Sequence, residues 1–432
     1  MDLFGILILV ISFIFFLSIG VPIAYSIGLS AMLTLLVHID FIPAVTTLSQ
    51  QMATALDSFA LLAIPFFILA GQLMNRGGIA VRLIDFAKVL VGRLPGGLAF
   101  VNIMANMLFG AISGSAAASA SAIGGFMHHR MVKEGYDRSF SAAVNVTSAT
   151  TGLLIPPSNI LIVYSLASGG VSIAALFIAG YVPGILMGLA IMGVAAAFAY
   201  RKNYPVGERV AIGKGLIKFL DALPSLFLLV IVIGGIIAGI FTATEASAVA
   251  VLYTLILAFI YRELRWRDLP DILIRTVGTT SIVLLLVGTS MALSWVMSFE
   301  NIPQNVSEGL LSVSENPIII LLLINMILLV VGIFMDMTPA VLIFTPIFLP
   351  VVTSQLGIDP IHFGIIMIMN LTVGLCTPPV GSLLFIGCSV ADVRIGDIIK
   401  PLLRIFVAMI LVLMLVTFLP SLSLWLPGIF GY

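Results

Sequence analysis

Apolar residues run along this chain in blocks too long for a soluble core. They occupy 3–37, 58–75, 98–128, 139–168, 181–200, 222–240, 244–261, 276–299, 317–355, 361–391 and 405–427, with short polar connections between them. About 20 consecutive apolar residues span a bilayer as a helix, so the pattern predicts an all-α, polytopic membrane protein. The blocks at 181–200, 222–240, 244–261, 276–299 and 405–427 fit single spans by length. The first, 3–37, would be about 50 Å long as helix, too long for one upright span. A break at Gly20-Val-Pro22 makes it two and places the N-terminus outside.

Four blocks carry interruptions, and the interruptions repeat. Gly135-Tyr136-Asp137, Thr150, Gly152-Leu153 and Pro156-Pro157 recur as Gly357-Ile358-Asp359, Thr372, Gly374-Leu375 and Pro378-Pro379, always 222 residues on. Gly110 and Gly332 keep the same register. Duplicated halves that each carry a Gly/Pro-broken apolar segment point to a secondary transporter.

Composition agrees. Apolar residues make up 61% and charged residues 9%, against about 25% charged in a soluble domain. Met1-Asp2-Leu3 has neither a basic n-region nor a cleavage site, so it reads as the start of a first span. Net charge is zero, which gives nucleic acid no foothold. Cys376 and Cys388 imply no disulfide framework, and His38, His128, His129 and His362 fit no metal-ligand spacing. No His-Glu-x-x-His and no nucleophile with a base in reach is present, so an enzyme is disfavoured.

Charge placement sets the topology. All 19 Lys and Arg fall between 76–93, 130–138, 201–218, 262–275 and 394–404. The connections 38–57, 168–180, 299–316 and 354–361 and the C-terminal tail have none. By the positive-inside rule the basic clusters are cytoplasmic and the basic-free connections are outside. Block 98–128 then starts and ends inside, with a tip at Gly110-Ala-Ile-Ser-Gly-Ser115. Block 317–355 starts and ends outside, with a tip at Gly332-Ile-Phe-Met-Asp-Met-Thr-Pro339. Two re-entrant hairpins of opposite sense are what an inverted repeat requires. The expected organisation is a first repeat over 1–200 (hairpin about 98–130, broken helix 139–168) and a cytoplasmic linker over 201–221. A second repeat follows over 222–432 (hairpin about 317–355, broken helix 361–391).

The breaks and tips hold the candidate chemistry. Consecutive prolines leave backbone carbonyls without partners, and in lipid these need protein, water or an ion. Thr147, Ser148, Thr150 and Thr151 precede the first break, and Ser158-Asn159 follow it. Asn370 and Thr372 precede the second, with Thr377 inside it and Ser382 beyond. Clustered neutral oxygens of this kind suit Na⁺. The alternative is that the hydroxyls bond their own helix and proline merely kinks it. Helix N-termini at Ser113-Gly114-Ser115 and Asp336-Met337-Thr338 would favour an anion near the midplane. Ser119 and Ser121 fit close helix packing. Asp336, an acid within an apolar segment, is functional by default. Glu245 lies near a span end, while Asp57 and Glu300 read as ordinary surface charges at outer boundaries. Arg76 and Arg93 read as topology determinants.

At these residues the chain resembles the large membrane subunit of TRAP (tripartite ATP-independent periplasmic) transporters of DctM type. Phe109-Gly-Ala-Ile-Ser-Gly-Ser115, Leu154-Ile-Pro-Pro-Ser158, Phe334-Met-Asp-Met-Thr-Pro339 and Asn370-Leu-Thr-Val-Gly-Leu-Cys-Thr-Pro-Pro-Val-Gly381 carry the resemblance, with Leu62-Ala-Ile-Pro-Phe-Phe-Ile-Leu-Ala-Gly71 upstream. It implies a Na⁺-driven elevator transporter of the bacterial inner membrane, with Na⁺ as coupling ion and no cofactor. The implied partners are a small four-helix membrane subunit and a periplasmic binding protein; the implied substrate is an organic acid such as a C4-dicarboxylate, sialic acid or another sugar acid. By position, one Na⁺ site joins Ser113, Gly114 and Ser115 to Thr147, Ser148, Thr151 and Gly152. The other joins Asp336, Met337 and Thr338 to Asn370, Thr372, Gly374 and Thr377. The substrate would lie among Ser115, Pro156, Pro157, Ser158, Asn159, Asp336, Thr377, Pro378 and Pro379. Two departures stand out: an Asp common after the first tip is absent through Ser121, and the usual Thr-Pro-Thr-Glu reads Thr242-Ala-Thr-Glu245. The nearest rival reading is a self-sufficient sodium–carboxylate symporter with the same two hairpins.

Overall fold

The repeated Gly-x-Asp triplets are helix starts. In the computed structural model, which describes residues 3–204 and 212–432, Gly135 and Gly357 both adopt positive φ (89° and 65°). That left-handed turn is open to glycine at little cost. Two residues later Asp137 and Asp359 cap the helices that follow. Asp137 Oδ1 accepts from Ser139 N at 2.8 Å, and Asp359 Oδ1 from Ile361 N at 2.7 Å, filling donors that a helix start leaves open.

The described residues are helical almost throughout. The first half holds α1 (Leu3–Ser18), α2 (Ile23–Leu35), α3 (Phe41–Leu56), α4 (Ala63–Arg76), α5 (Ile79–Val91), α6 (Gly97–Ser113), α7 (Ala116–Lys133), α8 (Arg138–Thr151), α9 (Asn159–Ala167) and α10 (Ile173–Lys202). The second holds α11 (Ile212–Ile237), α12 (Ala243–Ile260), α13 (Leu269–Phe299), α14 (Ile302–Val313), α15 (Pro317–Phe334), α16 (Met337–Pro350), α17 (Pro360–Leu375), α18 (Ser382–Ala391), α19 (Ile395–Phe418) and α20 (Ser421–Ile429). Among the described residues, eight helices are long and apolar enough to cross a membrane. The chain is thus an all-α polytopic membrane protein. The break expected at Gly20-Val-Pro22 separates α1 from α2.

Several expectations need correction. The connections 38–57 and 299–316 are not loops but contain α3 and α14. Their apolar residues recur at helical spacing, and α3 lays such a face along α2 and α13. The basic stretch 76–93 is likewise helical, as α5. The span expected at 405–427 begins earlier, at Ile395, and stops at Phe418 before Pro420. Glu300 is not an ordinary surface charge: it is only 8% exposed, and its Oε1 lies 3.0 Å from His38 Nε2. Asp57 is exposed as expected. Of the linker expected over 201–221, 205–211 lie outside the described residues, while its flanks belong to α10 and α11.

The two broken helices are the centre of the molecule. Residues 140–158 and 362–376 are buried without interruption. Helix α6 packs on α8, as α15 does on α17. Partners are then exchanged between halves: α7 lies against α18, and α16 against α9. Helices α10 and α19, whose first residues are again 222 apart, each touch both α8 and α17. Cys376 Sγ donates to Val146 O at 3.6 Å, pinning one broken helix to the other.

Glycine sets the closest approach within each half. A Cβ on Gly110 would sit 2.8 Å from Gly152 Cα, and one on Gly332 3.0 Å from Gly374 Cα. The conserved register of these glycines across the repeat therefore marks one backbone-on-backbone crossing made twice, of the small-residue kind that lets membrane helices meet closely.

Candidate functional site

The tips are built by helix punctuation. Gly114, at φ +61°, ends α6, and the Ser115 side chain caps α7 by accepting from Ala118 N at 3.2 Å. Asp336 holds the N-cap position of α16, in the register of Gly114. In the second half the tip is tied to its break: Gly381 N donates to Ile333 O at 3.1 Å.

Both tips open on one cavity of about 820 Å³. Of the residues singled out from sequence, Ser113, Gly114, Ser115, Ser121, Asn159, Asp336, Met337, Thr338 and Ser382 line it. The wall opposite comes from α4 and α13, including Gln72, Asn75, Thr279 and Arg275. The cavity thus reaches the basic ends of these two helices. Arg275 Nε is 3.0 Å from Asp271, which is also held by Arg76 at 2.7 Å. Two guanidiniums on one carboxylate leave a net positive charge at this end.

The remaining candidates sit behind the lining. Thr147 donates to Ala143 O (2.8 Å), Thr151 to Ser148 O (2.6 Å), Thr372 to Met369 O (2.6 Å) and Thr377 to Val373 O (2.8 Å). Each hydroxyl spends its proton on its own helix, which leaves its lone pairs as acceptors. Gly152 and Gly374 are taken up by the glycine crossings. Pro156, Pro157 and Ser158 are buried, and Pro157 faces α4, α6, α11 and α12. Pro378 is half-buried and Pro379 exposed. Both Pro-Pro bonds are cis.

Three buried oxygens at the breaks, Ser158 Oγ, Asn159 Oδ1 and Asn370 Oδ1, have no hydrogen-bond partner. Leaving a buried polar atom unpaired costs about 1–3 kcal/mol, so each of these atoms is open to a partner. No cluster of three His, Cys, Asp or Glu occurs among the described residues.

Sequence reading singled out Asn370 but missed Asn106, Asn145 and Asn325, which with it hold the hairpin arms to the broken helices. Asn106 Nδ2 donates to Ser148 Oγ at 2.9 Å and reaches Asn145 Oδ1 at 3.2 Å, and Asn106 Oδ1 accepts from Ser119 Oγ at 2.7 Å. Asn370 Nδ2 donates to Asn325 Oδ1 at 2.5 Å in the other half. Ser148 and Asn370 are repeat equivalents, so one polar tie recurs with different side chains. Asn102 and Asn106, one turn apart in an apolar arm, were the available signal. Ser119 belongs to this network rather than to close packing alone.

Glu245 has a structural task. Its carboxylate accepts from Thr242 N at 2.8 Å, while Thr242 Oγ1 accepts from Glu245 N at 3.3 Å, forming a capping box at the start of α12. Thr242→Ala is expected to cost about 1 kcal/mol of stability, read as a lower melting temperature in detergent, with transport unchanged. Lost transport at unchanged stability would instead give this bend a role in the site.

The comparisons with known proteins fit this geometry. The family described as "Tripartite ATP-independent periplasmic transporter, DctM component" matches residues 10–422. The chain is 58% identical to an uncharacterized protein, YgiK, of Salmonella typhimurium, over 99% of this chain and 98% of that one. It is 41% identical to the C4-dicarboxylate TRAP transporter large permease protein DctM of Pseudomonas aeruginosa, over 94% of each. In fold it is similar to the YdaH transporter of Alcanivorax borkumensis, with TM-score 0.60 at 13% identity over 91% of this chain and 90% of that one. The chain therefore belongs to the DctM family of TRAP transporters, as a multi-pass component of a bacterial inner-membrane transport system.

Proposed function

We propose that this chain imports a small organic acid, of the C4-dicarboxylate or sugar-acid class, driven by a Na⁺ gradient. Its two halves, 1–200 and 222–432 about a linker at 201–221, act as inverted repeats. The pairs α6–α7 and α15–α16 are re-entrant hairpins, and together with α8–α9 and α17–α18 they form a body that moves as an elevator against the remaining helices. The observation that carries this reading is the single cavity bounded by both tips and by Asn159 of the first break. Its opening toward the basic ends of α4 and α13 supports an inward-facing arrangement. The exchange of partners between halves, α7 with α18 and α16 with α9, is the packing an inverted repeat produces.

In this reading Na⁺ binds behind each tip. One ion uses Ser113–Ser115 with Thr147, Ser148, Thr151 and Gly152. The other uses Asp336–Thr338 with Asn370, Thr372, Gly374 and Thr377. The unpaired oxygens at Ser158, Asn159 and Asn370 support cation binding at the breaks. The substrate carboxylate lies between Ser115 and the α16 N-terminus, where helix N–H groups favour an anion. A small membrane subunit and a periplasmic binding protein complete the system. The C4-dicarboxylate named for the Pseudomonas relative supports the substrate class.

The test is uptake of radiolabelled C4-dicarboxylates and sialic acid into proteoliposomes under an inward Na⁺ gradient. Uptake is expected only when this chain is joined by its small subunit and binding protein. Robust uptake by the chain alone would make it a self-sufficient symporter. Uptake that ignores the Na⁺ gradient would sink the coupling assignment.

A further inference from the structure

A groove away from the transport cavity runs along the outer face of α10 and α19 and encloses about 530 Å³. Arg404 of α19 lies over Phe198 of α10, one turn from Arg201, and Ala190, Leu411 and Val412 line the same groove, so the two helices run antiparallel here. The floor of the groove lies low because small residues, Ala190, Gly193, Ala197 and Ala408, line it. A Cβ built on Gly193 would meet nothing within 4 Å, so the space above it is open.

The polar end is cationic and uncompensated. No carboxylate lines the groove. The Arg404 guanidinium stacks over the Phe198 ring at 4.9 Å, which orients it without neutralising it. Both arginines are exposed, and neither has an ion-pair partner among the described residues. Positive-inside placement puts this end at the cytoplasmic surface.

The dimensions identify the occupant. From Ala190 to Arg201 the helix rises about 16 Å at 1.5 Å per residue, close to half of the roughly 30 Å hydrocarbon thickness. We propose that this groove is a binding site for an anionic phospholipid of the cytoplasmic leaflet, with Arg201 and Arg404 holding the phosphate and one acyl chain lying over Gly193. Basic pockets between membrane helices on the cytoplasmic side bind lipid headgroups in this way. Arginines that merely snorkel would be indifferent to the shape of the groove; a lipid site is not.

The experiment is native mass spectrometry of the full chain in detergent with equal phosphatidylglycerol and phosphatidylethanolamine, repeated with glycerol phosphate as a chainless probe. Wild type should retain one phosphatidylglycerol in preference and bind no glycerol phosphate. The double variant R201Q/R404Q should lose roughly 30-fold of that preference, about 2 kcal/mol at 1.4 kcal/mol per decade. Gly193→Leu, which fills the floor and keeps both charges, should lower retention of both lipids. An unchanged melting temperature of each variant would show that it is folded. Equal retention of phosphatidylglycerol by wild type and R201Q/R404Q would overturn the site. So would unchanged retention by Gly193→Leu, or binding of glycerol phosphate that matches the lipid.

Discussion

Asp336→Asn is expected to remove Na⁺-driven uptake while leaving the chain inserted and its melting temperature unchanged. The side chain keeps its size and loses only its charge. Asp336 stands at the N-cap of α16 without a side-chain capping bond to hold the helix start, and it lines the cavity. Its loss therefore removes little structure. What it removes, in the proposed site, is the charged ligand of the second Na⁺. An interaction with a charged group is worth about 1.5–3 kcal/mol, or roughly 10- to 100-fold in half-saturating Na⁺ at 1.4 kcal/mol per decade. The first site has no equivalent carboxylate, because Gly114 occupies that register. Uptake by Asp336→Asn with wild-type Na⁺ dependence would take Asp336 out of the site.

Gly110→Val and Gly332→Val should each cripple transport through structure rather than through ligation. The new Cβ would come 2.8 Å from Gly152 Cα in the first variant and 3.0 Å from Gly374 Cα in the second. The obstructing atom is backbone, which cannot rotate away as a side-chain end does. Overpacking of a core costs about 1–3 kcal/mol, and here it also prises the hairpin arm from the broken helix. The Asn106–Ser148 and Asn325–Asn370 ties cross the same two interfaces, so they should weaken together with the crossing. A lowered melting temperature and lost uptake are expected in both. Wild-type stability in either would show that the crossing has slack and is not a fixed element of the fold.

These two predictions draw on features of different legibility. Asp336 could be found by scanning, since an acid inside an apolar block is rare and costly. The role of Gly110 could not: its register with Gly332 was visible, but its contact with Gly152 lies 42 residues away in sequence (152 less 110). Glu300 shows the same limit from the other side. Its position after an apolar block suggested a solvated span end, yet α13 delivers it beside His38 and the start of α1.

The sequence by itself determined the membrane class, the breaks at Gly20-Val-Pro22 and at both Pro-Pro pairs, and the repeat that Asp137 and Asp359 share, though not that they cap helices. The class and the breaks follow from local rules: apolar length against bilayer thickness and missing proline N–H groups. It also placed α3 and α14 wrongly, as loops, because a short amphipathic helix lacks the apolar length that marks a span. Tertiary structure alone decided that α7 meets α18 and α16 meets α9. It decided that Ser113–Ser115, Asn159 and Asp336–Thr338 share one cavity wall while Thr147 and Thr372 stand behind it. It also brought Arg201 and Arg404 to one end of one groove. The reason is that a helix turns its residues through every direction, and only the neighbours it packs against select which of them face each other.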